Sequence, residues 1–294
     1  MHTPHIPHSP ETPFKAAMRD QWNTAAPGWN AHTAQLRAWL SLPTEAMCRM
    51  AGVTTGSRVL DVAAGAGEQT LMIARLVGPG GHVLATDLSP AIVALARQNT
   101  QAAGFDHVET RVADGEDLGV AASSFDAAVC RLGLMFFADP LQGLREMHRA
   151  LRPGGGACTV VFSRAERNPC VAIVMSTALK HAGRPAGDPR SSGGLLSLGQ
   201  PGQIDGLFRE AGFCDVATTA LDAVFRMPSV DDYLAFIRSS ASPVIGILGK
   251  LAPAAAAAAW AEMRERLDVY TTQDGWAGPN ELLLTAGRRP MASA

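Results

Sequence analysis

The chain is poor in the features that mark several protein classes. Its five cysteines (Cys48, Cys130, Cys158, Cys170 and Cys214) are scattered and include no CxxC pair. That leaves no basis for a zinc site, no metal is expected, and the pattern suits a reducing cytoplasm, the expected location. Cys130 and Cys158 fall inside apolar runs, where a thiol acts as a small hydrophobe. Charge of one sign is lacking too: 25 Lys and Arg against 27 Asp and Glu give a net charge of −2. So balanced a chain carries no electrostatic footprint for nucleic acid. No run approaches the roughly 20 apolar residues of a membrane span. The first residues, punctuated by Pro4, Pro7 and Pro10, lack the apolar core of a signal peptide. Residues 1–13 read as a disordered tail, and the three histidines spaced by proline there read as part of it.

What is present is a small-residue turn. Val59-Leu60-Asp61-Val62-Ala63-Ala64-Gly65-Ala66-Gly67-Glu68-Gln69-Thr70 reads as an apolar strand, a tight turn and the opening of a helix. Small residues there let the backbone approach a ligand, and a helix amino end favours a carboxylate or phosphate. From this point strand and helix alternate. Strands are expected at 58–62, 82–87, 107–112, 125–130 and 157–162, with helices at 69–76, 90–103 and 141–151. Ser89-Pro90 supplies N-cap chemistry, and Arg152-Pro153-Gly154-Gly155-Gly156 reads as a helix stop before the fifth strand. The fold class expected is α/β, a doubly wound, mostly parallel seven-stranded sheet.

The flanks read differently. Residues 14–52 form an expected amino-terminal helical cap, with Trp22, Trp29, Leu36, Trp39 and Leu40 as its apolar positions. Residues 53–165 form the expected Rossmann-like core, and 166–294 a helical lid insertion plus the last strands. Within that last part, 184–199 reads as a Gly/Pro/Ser-rich loop and 203–211 as a helix. Strands are expected at 216–225 and 281–286, a helix at 230–239, a hinge at 240–249 and an alanine-rich helix at 253–267.

The turn itself narrows the ligand. A nicotinamide site would continue GxGxxG, but Thr70 stands where the third glycine would be. A P-loop would need Lys beside Ser or Thr, and there is no such Lys. Asp87, ending the second strand, can accept both hydroxyls of a ribose, because Ser89 already provides the helix cap. Ala113-Asp114-Gly115-Glu116 after the third strand can place an acceptor near an adenine amino group, or simply make a turn.

In this order, VLDVAAGAGEQT, ATDLSP, VADGEDL, SFDAAVCRLGLMFFADP and ALRPGG resemble the class I S-adenosylmethionine-dependent methyltransferases over about residues 20–165. The small-molecule branch that includes the quinone-biosynthesis C-methyltransferases is the most similar. The resemblance implies that Asp61, Ala63, Gly65, Gly67 and Thr70 flank the methionine part of S-adenosylmethionine, or of the product S-adenosylhomocysteine. It implies further that Asp87 holds the ribose and Leu88 the adenine face. Asp114 and Gly115 would lie at the adenine edge, and Arg131 beside the methionine moiety. The chain departs from that branch in three places. Ala63 stands where many relatives have Gly, Trp29-Asn30 where the branch has Tyr-Asp, and Gly133-Leu134-Met135-Phe136 where it has Gly-Leu-Arg-Asn. The last two fall where an acceptor would sit, so the quinone substrate does not follow.

The activity implied is methyl transfer, on O or C, to a small aromatic or polycyclic acceptor. Trp22, Trp29, Met135 and Phe136 are its candidate pocket residues. His32, His148, His181 and Glu116 are candidates for a base, and no catalytic residue can be assigned among them. A catalytically silent S-adenosylmethionine-binding regulatory module is the alternative reading, and a nicotinamide oxidoreductase a weaker third. A small-molecule acceptor is the partner expected, with a homodimer as a possible assembly.

Overall fold

The computed structural model describes residues 12–185 and 193–292. The expected tail at 1–13 therefore lies almost entirely outside the described residues, as does the middle of the expected loop at 184–199. Two helices open the chain: α1 (Pro13–Ala31), capped by the Thr12 hydroxyl, and α2 (Thr33–Ala51), ended by Gly52 in the left-handed conformation. Then follow β1 (Arg58–Val62), α3 (Glu68–Val77), β2 (His82–Asp87), α4 (Pro90–Ala102) and β3 (Val108–Val112). Next come β4 (Phe125–Arg131), α5 (Pro140–Ala150), β5 (Leu151–Phe162), α6 (Pro169–His181) and α7 (Gln203–Glu210). The chain continues through β6 (Cys214–Asp222), β7 (Phe225–Met227), α8 (Val230–Ser240), α9 (Ser242–Leu248) and α10 (Pro253–Leu267). It closes with β8 (Thr271–Thr272), β9 (Gly275–Gly278) and β10 (Glu281–Arg288).

The main sheet has seven strands in the order β3-β2-β1-β4-β5-β10-β6. Strands β1 to β5 are mutually parallel, and β10 runs antiparallel between β5 and β6. This is the doubly wound α/β sheet expected. Strands β1 and β4 are covered on both faces and read as continuous apolar text, with Val59, Leu60, Ala127, Ala128 and Val129 all fully buried. Chain order reverses between β1 and β4, so a crevice opens beyond their carboxyl ends, the place where ligands bind in sheets of this kind. The helices are set by local chemistry. The Ser89 hydroxyl accepts from Ile92 N at 3.1 Å and Pro90 takes the first helical position, as the sequence indicated.

Four local expectations are corrected. The Pro-Gly-Gly-Gly run does not precede β5 but lies within it, because Leu151 already pairs with Phe125 and Gly154 N donates to Arg289 O. The single strand expected at 216–225 is two strands in two sheets. Strand β6 ends at Asp222, and β7 joins β8 and β9 in a separate three-stranded sheet. The expected hinge at 240–249 contains α9, with Pro243 in its first turn. Helix α6 was not read at all, since its uniformly apolar text carries no clear amphipathic stripe.

Helix α1 crosses the carboxyl edge of the sheet and packs against α4, α8 and α9, while α2 packs on β5 and β10. The Asn23 carboxamide oxygen accepts from the Ser89 hydroxyl at 2.6 Å, which fixes α1 to the start of α4. These helices and α8 roof the crevice. No helix among the described residues is long and apolar enough to cross a membrane.

Candidate functional site

One cavity occupies the crevice, and its two ends differ in chemistry. The first end is built from the glycine turn and the strand tips. Ala63, Ala64, Gly65, Asp87, Leu88 and Asp114 line it, with Gly115 and Arg131 also in the wall. The turn needs small residues for measurable reasons. Gly65 has φ +59, and a Cβ on it would come within 3.1 Å of the Trp29 indole Nε1. A Cβ on Gly115 would fall 2.2 Å from Phe137. Ala63 holds φ 53 and Leu132 φ 56, two non-glycine residues in the left-handed region, one just after β1 and one just after β4. Each costs on the order of 1 kcal/mol, a strain that commonly concentrates at binding sites.

Polar groups fix this end. Asp87 accepts from Gly65 N at 3.1 Å with one carboxylate oxygen and from Ser89 N at 3.0 Å with the other. Burial pushes its carboxyl up to about 6. Asp61 is fully buried behind the wall, accepting from the Gln69 carboxamide at 2.5 Å and the Thr70 hydroxyl at 2.7 Å. It too is pushed up to about 6 by burial. Asp61, Gly67 and Thr70 therefore do not face the cavity. They tie β1 to the start of α3, and Gly67 (φ +90) is needed because a Cβ there would lie 3.2 Å from the Ala96 backbone. Arg131 is buried in the wall, its Nη1 donating to Thr44 Oγ1 at 2.6 Å and Glu68 Oε2 at 2.9 Å. Asp114 and Glu116 both meet the Lys15 ammonium from α1, at 2.6 and 2.7 Å.

The other end is aromatic. Trp22, Trp29, Met135 and Phe136 all line the cavity. Trp22 meets Phe136 edge-on at 5.3 Å between centroids and Trp29 at 5.9 Å. The rings continue through Trp29–Phe236 (6.2 Å), Phe236–Phe225 (5.0 Å), and Phe225 to both Trp39 (4.8 Å) and Tyr233 (5.8 Å). Phe225, Tyr233 and Phe236 were missed by sequence reasoning. The signal that could have found two of them was the apolar stripe Val230, Tyr233, Leu234 and Ile237 on α8, with Phe236 beside it, a face in need of a partner.

The three candidate histidines do not line this cavity, whereas Glu116 lines it beside Asp114 and Gly115. The His32 Nδ1–H donates to Gly28 O at 2.8 Å, with the ring edge-on to Phe236. His148 packs on Phe213 on the far side of the sheet. His181 pairs with Glu262 at 2.9 Å on the outer face of α6 and α10. Glu116 accepts from Ala138 N and Asp139 N as well as Lys15. Among the described residues, no group of three or more His, Cys, Asp or Glu is arranged to hold a metal.

A sheet of this order, with a glycine turn at the switch point and a carboxylate ending the neighbouring strand, defines the Rossmann-like methyltransferase fold. Residues 59–155 match the family model described as a methyltransferase domain. The chain is 39% identical over 121 residues to a ubiquinone/menaquinone biosynthesis C-methyltransferase of Hahella chejuensis, covering 41% of this chain and 48% of that protein. It thus spans about half the length of the curated relatives it matches. Among solved structures, a phosphoethanolamine N-methyltransferase of Haemonchus contortus in complex with S-adenosylhomocysteine is similar with a TM-score of 0.59 at 17% identity, covering 96% of this chain and 62% of that one. The cyclase SpnF is similar with a TM-score of 0.53 at 23% identity, covering 85% and 81%. Residues 59–155 are thus similar to a methyltransferase domain, in keeping with the resemblance read from the motifs. That a cyclase shares the fold shows that the acceptor chemistry must be argued from this chain's own cavity.

Proposed function

We propose that the chain binds S-adenosylmethionine at the glycine-turn end of the cavity and directs its methyl group to a small, apolar, aromatic or polycyclic acceptor held at the other. The single observation that carries this reading is the continuity of one cavity from Gly65, Asp87 and Asp114 to the ring system of Trp22, Trp29, Phe225 and Phe236. The residues fit the cofactor. The Asp87 carboxylate is seated by Gly65 N and Ser89 N and has lone pairs left for a diol. Gly65 and Gly115 leave space that side chains would fill. Leu88 and Phe137 offer apolar surface for a base. Arg131 lines the wall with its charge met by Glu68 at 2.9 Å, and its guanidinium has further N–H donors beyond Nη1, which is spent on Thr44 and Glu68.

When bound, S-adenosylmethionine supplies an electrophilic methyl group on a sulfonium. What this chain contributes is binding, alignment and exclusion of water. Helices α1 and α8 roof the chamber, and the Trp22, Trp29 and Phe236 faces restrict a flat acceptor to few orientations. Burial raises the Tyr233 phenol above its ordinary range, so it stays a neutral hydrogen-bond donor rather than a base. With no histidine among the described residues of the wall, the favoured acceptor is one that presents its own nucleophile, such as a phenol or an enolisable ring.

The test is calorimetry with S-adenosylhomocysteine and with NAD, followed by labelled S-adenosylmethionine with a panel of phenols, quinols and carboxylates. Micromolar binding of the first ligand, none of the second, and label transfer to a phenol or quinol are expected. Absence of S-adenosylhomocysteine binding would sink the proposal. Binding without transfer to any member of a broad panel would instead support the regulatory alternative.

A further inference from the structure

The aromatic chamber is not uniformly apolar. Tyr233 and Asn280 both line it, 4% and 6% exposed. Tyr233 is held rigidly by its ring, which stacks on Trp276 at 4.1 Å and 19°. Trp276 is in turn fixed by its indole N–H donating to Leu267 O at 2.9 Å. Among the described residues no hydrogen bond uses the Tyr233 hydroxyl. Asn280 is anchored on one side only. Its amide nitrogen donates to Gly278 O at 3.2 Å and its backbone carbonyl accepts from Ala223 N at 2.8 Å, while its side-chain oxygen takes no partner there.

Neither oxygen is among the buried polar atoms left without a partner, so each keeps access to the cavity it lines. Most buried polar groups find a partner within the protein, and a donor and an acceptor left facing one cavity are waiting for a ligand to supply it. Their place in the chamber is defined by the chain of rings. Tyr233 touches Phe225, Phe225 touches Phe236, and Phe236 touches Trp29, which sits on Gly65. Tyr233 thus lies three ring contacts from Trp29 at the glycine turn, and Asn280 is tied to the same region through Gly278, which pairs with Phe225.

We infer that Tyr233 and Asn280 read a hydroxyl group on the acceptor, at the end of the molecule remote from the atom that receives the methyl group. The phenol donates to the acceptor's oxygen, and the Asn280 carboxamide oxygen accepts its proton. A site built to hydrogen-bond a hydroxyl rejects the analogue lacking it, because its own groups are then left unpaired. The inference rests on the methyl-transfer reading only for which end is remote; the recognition itself belongs to the cavity.

Calorimetry with naphthalene, 2-methoxynaphthalene and 2-naphthol, on protein saturated with S-adenosylhomocysteine, tests it. The three probes share one ring system and differ in offering no polar atom, an acceptor only, or an acceptor and a donor. The wild type is expected to bind 2-naphthol about tenfold more tightly than naphthalene, with the methyl ether between them. Tyr233→Phe, which keeps the stack on Trp276, and Asn280→Ala should each reduce the 2-naphthol preference to about twofold while leaving S-adenosylhomocysteine affinity unchanged. Equal affinities for the three probes in the wild type would overturn the inference, as would an unaltered preference in Tyr233→Phe. If S-adenosylhomocysteine fails to bind any of these proteins, the cofactor reading falls. The same probe series on the free protein then still decides whether Tyr233 and Asn280 read a hydroxyl.

Discussion

The two ends of the cavity are built in opposite ways. At the glycine turn, the wall comes from strand tips close in sequence and is held by polar bonds of fixed geometry: Asp87 to Gly65 N and Ser89 N, and Asp61 to Gln69 and Thr70. At the aromatic end, the wall comes from α1, α2, β7 and α8, segments some two hundred residues apart, and it is held by ring contacts that tolerate adjustment. Rigid polar geometry suits an invariant ligand, whereas an adaptable apolar wall suits an acceptor that differs from one relative to the next. A substitution at the first end should change cofactor affinity and leave acceptor choice alone. One at the second end should do the reverse.

The largest expected break is Asp87→Ala. Removing a half-buried carboxylate that can bind a diol and also anchors the turn should weaken S-adenosylhomocysteine binding about a hundredfold. Calorimetry checks this, and an unchanged dissociation constant would refute the ribose assignment. Acidity should reproduce part of the same loss. The Asp87 carboxyl is pushed up from 3.8 to about 6 by burial, so it protonates below that pH and ceases to be an acceptor-only group. Affinity should then fall on the order of tenfold between pH 7 and pH 5. Stability runs the other way. A carboxyl raised above its unfolded value binds more protons in the native state, so Asp61 and Asp87 stabilise the fold below about pH 4 and lose that contribution as pH rises to about 6. Binding that weakens in acid while these two groups favour the fold separates a site effect from unfolding.

On the aromatic side, Phe236→Ala should cost about 3 kcal/mol of stability, since the ring is buried among Trp29, His32 and Phe225. Its signature should be a KM for the acceptor raised about tenfold with S-adenosylhomocysteine affinity unchanged, read by label transfer and calorimetry. If cofactor affinity falls instead, the two ends are not separable. Lys15→Met probes the seam between them. The ammonium joins α1 to Asp114 and Glu116, and the pair is partly exposed. Its loss should speed S-adenosylhomocysteine release about threefold in stopped flow, with little change in melting temperature.

This difference also explains what the sequence disclosed. The strands β1 to β5 and the glycine turn follow from local text, because apolar runs, Ser89-Pro90 and the strand-end carboxylate each carry their meaning within a few residues. Even so, the same text overstated the roles of Asp61 and Thr70, whose polar groups face one another rather than the cavity. The aromatic chamber was legible only as isolated rings. That Trp39 meets Phe225, or Trp29 meets Phe236, depends on where β7 leaves the main sheet, and the text at 216–225 showed a continuous strand. Likewise, Asn30 could not be seen to spend its side chain on Asn99, at 2.7 Å, rather than on a ligand.

The smallest effect expected lies at the boundary between the two ends. Ala63 stands at φ 53, a conformation that costs an L-residue about 1 kcal/mol and glycine almost nothing. Replacing it by glycine relieves that strain but enlarges the freedom of the unfolded chain, a loss of about 0.4–1 kcal/mol. The two nearly cancel, so Ala63→Gly should leave stability within about 1 kcal/mol of wild type in urea melts. The same change at Ala127, in the middle of β4, should cost more because no strain is relieved there. What Ala63 does keep is a methyl group directed at Gly133, close enough that a Cβ on Gly133 would lie 2.4 Å away. Ala63→Gly removes that contact at the junction of turn and chamber. Its mark should therefore be a modest loosening of acceptor selectivity with cofactor affinity retained. A fall in stability well beyond 1 kcal/mol would mean that the left-handed turn is held by packing of this methyl group rather than endured in spite of it.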